Sequence, residues 1–133
     1  MSGWDVAAPD GDAFLAMAHA ARDAFPAPFD ALAREVRIVV ADWAEDAVLD
    51  DLEIEDPYDL SGLYEGEALT DRSVDAPAPP STVTLFRRAI LDEWAARGDV
   101  TLAALVAHVT VHEFAHHFGW SDDDIAAIDR WWE

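Results

Sequence analysis

The chain has 133 residues, no cysteine, no lysine and a formal net charge of −20 at pH 7. That length supports one domain with a core of its own, and the lack of cysteine excludes disulfides and thiolate metal ligands. The acidic balance excludes nucleic acid as an ordinary partner, because such binding rests on cationic contacts to phosphates.

In chain order, residues 1–11 read as a flexible tail that lacks the basic and apolar regions of a signal peptide. Asp12 is placed to cap a helix running to about Phe25, with Phe14, Leu15, Ala18 and Ala21 inward and Met17 as core filling. Pro26 and Pro28 break that helix, and a short one is expected over 29–35. Residues 36–41 are β-branched and nearly continuous, which suits a central strand. A helical turn or two over 45–52 precedes an acidic loop over 53–59. A second strand is expected over 60–69; its Gly62 and Gly66 mark a bulge or a close backbone approach. The proline-rich stretch 71–80 reads as a surface loop. An alternating third strand follows over 82–87, then a helix over 89–97 with Gly98 at its C-cap. The next helix, over 101–118 and started by Asp99, has no Gly or Pro and is apolar on almost every face, so it belongs in a core. A last helix is expected over 122–132. Helices first, then short strands mixed with helices, then helices again, with no internal repeat, give an α+β pattern. No apolar stretch is long and isolated enough to span a membrane, and a cytoplasmic protein is the simplest expectation.

The buried helix carries the chemistry. His112, Glu113 and His116 form HExxH, followed by Gly119 and Asp122 three and six residues after the second histidine. On a helix, residues i and i+4 share a face, so the two imidazoles can bind one cation, typically Zn²⁺, through neutral nitrogens. Glu113 then stands where it can take a proton from a metal-activated water. Gly119 can adopt the left-handed backbone that ends a helix, and the turn would bring Asp122 toward the histidines as third ligand. Ser121 through Asp124 also reads as the capped start of the last helix, which keeps Asp123 and Asp124 open as alternatives. A buried helix bearing these polar groups needs partners for them, and a metal supplies one. His108 lies on the same stripe and reads as a supporting histidine. His117 points about 100° away around the helix and is balanced between a supporting and a catalytic role.

Three segments, LSGLYEG at 60–66, TVTLFRR at 82–88 and VHEFAHHFG at 111–119, together resemble the bacterial minimal-zincin family of metallopeptidases. The resemblance implies one zincin-like domain over 1–133, a small three-stranded mixed sheet packed on helices, and the HExxH helix lining the cleft. It also implies that an extended peptide or protein substrate adds antiparallel to an edge strand, supplied here by 60–69 or 82–87. Two departures stand out. The only methionines, Met1 and Met17, leave no Met-containing turn after the motif, and no tyrosine follows Tyr64. Tyr64, His117 and Arg87 are the remaining candidates to stabilise an oxyanion. The expected function is a zinc-dependent metallopeptidase, with Glu113 as base and His112, His116 and Asp122 as ligands. The alternative is a metal-stabilised protein-binding module with little or no proteolytic activity.

Overall fold

A computed structural model describes residues 10–27, 29–66 and 81–120. Among them are five helices and one three-stranded mixed sheet, the expected α+β architecture. The helices are α1 (Gly11–Asp23), α2 (Phe29–Ala33), α3 (Asp46–Asp51), α4 (Arg87–Arg97) and α5 (Leu102–Phe118). The strands are β1 (Arg37–Ala41), β2 (Gly62–Glu65) and β3 (Thr82–Phe86), with a 3-10 turn at Pro57–Asp59. Most of the expected tail, the expected 71–80 loop, the end of the strand expected over 60–69 and the helix expected over 122–132 lie outside the described residues.

Helix starts follow their acceptors. Asp10, not Asp12, caps α1: its extended backbone lets the carboxylate accept from the Ala13 N–H at 3.0 Å, while Asp12 sits in the first turn. Thr101, not Asp99, caps α5 by accepting from the Ala104 N–H at 3.1 Å. Gly98 and Gly119 end α4 and α5 in the left-handed conformation, with φ of 72° and 71°. At the second, the Trp120 N–H bonds back to the Ala115 carbonyl at 3.0 Å, closing the last turn.

The strand order is β1-β3-β2, with β1 parallel and β2 antiparallel to β3. The central strand is therefore β3, not the apolar run of β1. β1 owes its apolar character to α1, which packs over it, rather than to a strand on either side. On one face, Ile38, Val83 and Leu85 pack with Phe14, Ala18, Leu105, Val106, Val109 and Phe114 beneath α1 and α5. On the other, Phe86 and Ala89 meet Ala44 and Leu49 in a smaller cluster edged by Val48 and Leu63.

β2 lies at the sheet edge beside α5. The Ser61 carbonyl accepts from the Phe86 N–H at 3.0 Å. Alternation along an antiparallel pair then turns the backbone groups of Gly62 and Tyr64 away from β3, toward the outer edge.

Candidate metal centre

α5 is buried around most of its circumference. The stripe that escapes carries His108, His112 and Glu113, half-buried, and His116, exposed. The 3.6-residue period thus aligns both expected histidine ligands and the expected base on the one side of the helix that solvent reaches. The His108 ring meets that of His112 edge to face, with centroids 4.4 Å apart. A cleft of about 260 Å³ opens there, lined by Ser61, Glu93, Arg97, His108, Val109, His112 and Glu113.

The Glu113 carboxylate lies against the edge strand, where the outward-turned N–H of Tyr64 favours its charged form. Burial pushes its pKa above the ordinary 4.5, opposed by the charge of nearby His116 and by that N–H. Gly62 makes the approach possible: a Cβ there would stand 2.9 Å from Glu113 Cγ and 2.9 Å from Val109 Cγ1. The glycine expected to mark a close backbone approach does so, and what approaches is the general-base candidate.

His117 leaves the cleft. Its side chain is fully buried, with Nε2 2.9 Å from Glu35 Oε1 and Nδ1 2.8 Å from the Tyr64 hydroxyl. That hydroxyl is also 3.1 Å from Ser81 Oγ. Of the three oxyanion candidates, His117 and the Tyr64 hydroxyl are thus turned into the interior. The third, Arg87, pairs with Asp42 at 2.8 Å beyond the ends of β1 and β3 and holds the Asp42 carboxyl below its ordinary range. Arg97 is the one cation among the described residues that line the cleft, and it pairs with Glu93 at 2.8 Å. Neither residue stood out in the sequence, because a contact between α4 and α5 has no local pattern.

The donor set fits a zinc half-site: two imidazoles one turn apart on a solvent-reached stripe, with a carboxylate between them. Among the described residues no three His, Asp or Glu side chains gather around one point, and Asp122, with Asp123 and Asp124, lies outside them. The aromatic rings of Phe25, Phe29, Phe118 and Trp120 lock the turn after the motif against the segment that follows α1, with Phe29 and Trp120 centroids 4.8 Å apart.

The model of a family described as zincin-like metallopeptidase matches residues 33–132. No curated protein matches the chain.

Proposed function

The chain belongs to the zincin-like metallopeptidase family, and from that premise we propose that it hydrolyses peptide bonds in a zinc-dependent reaction with Glu113 as general base. The observation that carries this reading is the placement of Glu113, between the two histidines on α5 and against the outer edge of β2. His112 and His116 would hold the metal, with Asp122 as the third donor. Zinc, when bound, supplies the Lewis acidity that activates water and polarises the scissile carbonyl.

The chain's own groups do the rest. Glu113 accepts a proton from the attacking water and passes it to the departing amine. A carboxyl whose pKa is raised by burial is suited to that transfer near neutral pH. An extended peptide would add along β2, where the outward N–H and C=O of Gly62 and the C=O of Tyr64 offer a strand template. Arg97 stands at the same cleft and, on release from Glu93, is the cation that would face a developing oxyanion.

The test is cleavage of a peptide library by the zinc-loaded protein. Glu113→Gln should abolish it, a loss of about 10²–10⁴-fold or more, while zinc stays bound. Cleavage that survives in this variant removes Glu113 from the role. The second reading, a metal-stabilised binding module, is favoured by the inward turn of the Tyr64 hydroxyl and the pairing of Arg97 with Glu93. It predicts that chelation lowers the melting temperature while no peptide is cut.

A further inference from the structure

Two adjacent histidines of the motif have opposite fates. His116 is exposed, whereas His117 is fully buried. A buried imidazole is costly unless both nitrogens are satisfied, and here they are, by groups 82 and 53 residues away in the chain. The Glu35 carboxylate can only accept, so Nε2 carries a proton and donates to it. Nδ1 faces the Tyr64 hydroxyl, which can donate or accept, so that bond exists in either protonation state of the ring. Ser81, itself buried, holds the same hydroxyl. Gly66, at a φ of 149°, keeps the space open: a Cβ there would lie 2.6 Å from Ser81 Oγ and 2.9 Å from the Tyr64 hydroxyl.

With its hydroxyl held by His117 and Ser81, the Tyr64 ring has little rotational freedom. That ring lies nearly parallel to the His116 imidazole, at 13° and 6.4 Å between centroids. The backbone N–H of the same residue is directed at the Glu113 carboxylate. Tyr64 therefore reaches two of the three functional side chains of α5, His116 through its ring and Glu113 through its main chain.

We propose that Tyr64 is the positioning residue of this site: anchored by Ser81 and by buried His117, which is itself held by the more exposed Glu35, it fixes the orientation of His116 and presents its N–H to the carboxylate of Glu113. The doubled histidine divides the labour, the first to bind the cation and the second to hold the tyrosine that aligns the first. The role in metal binding rests on the proposed function, so the experiment reads orientation separately from it.

Full-length protein carrying Tyr64→Phe keeps the ring and the backbone N–H and loses only the hydroxyl. His117→Gln removes the imidazole. Zinc affinity is measured by calorimetry, and the His116 ring resonances are followed by ¹⁵N-edited spectra in the chelated and zinc-loaded states. Each variant should weaken zinc binding by about tenfold, the effect expected for a group that orients a ligand. The double variant should lose little more than either single one, because both break the same chain. In the chelated protein the His116 resonances should shift or broaden in both variants. Glu35→Gln, which keeps an acceptor for Nε2, should lose less affinity than Glu35→Ala. Wild-type affinity and unmoved His116 resonances in Tyr64→Phe overturn the proposal and leave the pair as core packing. Should the wild-type chain bind no zinc, the functional reading fails, and the chelated spectra alone decide whether Tyr64 orients His116.

Discussion

On the face of the sheet covered by α1 and α5, Gly62 and Tyr64 of β2 meet Glu113 and His117. On the opposite face, Leu63 and Glu65 of the same strand line a shallow cavity of about 310 Å³ with Trp43, Glu45, Val48 and Phe86. Beside it, Asp46, Asp50, Glu53 and Glu55 wall a second hollow of about 620 Å³. The first face spends two glycines and a fully bonded polar chain on holding a few side chains in place. The second leaves Trp43 and Tyr58 edge to face and largely exposed, among acids that solvent screens. The larger hollows therefore lack what the smaller cleft beside α5 has: polar groups held in fixed directions by residues remote in the chain.

The contrast can be broken most strongly at Gly62. Gly62→Ala forces a Cβ into Glu113 and Val109, so we expect a loss of about 1–3 kcal/mol, the range for overpacking. Urea denaturation measures it. Activity should fall further than stability accounts for, because the carboxylate is pushed from the Tyr64 N–H. An alanine tolerated without either loss would mean that β2 and α5 do not approach so closely.

A smaller effect is expected at the Glu113 carboxyl. In the chelated protein, burial raises the Glu113 pKa above 4.5, so charging this group opposes folding. Below its ordinary value both folded and unfolded chains hold the proton and no cost arises. As pH rises, the unfolded chain ionises first, and stability falls until the raised value is passed. Glu113→Gln should thus raise the melting temperature of the chelated protein at about pH 7 and leave it unchanged at about pH 4. Melts at the two pH values test this, and a destabilised variant at neutral pH would contradict the burial argument.

The smallest effect is expected away from the site. Asp42 and Arg87 pair at 2.8 Å, but the Asp42 side chain is 56% exposed. Arg87 holds that carboxyl below its ordinary range, so the pair contributes above the ordinary carboxylate pKa and is lost as pH falls through the lowered one. Asp42→Asn should cost less than about 1 kcal/mol at neutral pH, and nothing in acid. A larger cost in thermal melts would show that solvent screens this pair less than its exposure implies.

Much of this molecule was legible locally. The motif helix, its breadth of burial, the caps at Gly98 and Gly119 and the alternation of β3 are written within a few residues of each other, because helix and strand periods and left-handed turns are short-range properties. So was the meaning of Gly62, as a place where the strand is closely approached, though not which side chains would approach it. The strand order was not legible: the apolar run of β1 imitates a central strand when a helix rather than a second strand covers it.

Sequence alone set the residue types and the spacing that put His112, Glu113 and His116 on one stripe of one helix. Tertiary structure alone decided that β2 is the edge strand beside that stripe, that Arg97 rather than Arg87 stands at the cleft, and that His117 turns inward to Tyr64 and Glu35. The reason is range: a helical period repeats every few residues, whereas the hydrogen bonds of a buried side chain join whichever segments the packed core brings together, here as far as 82 residues apart.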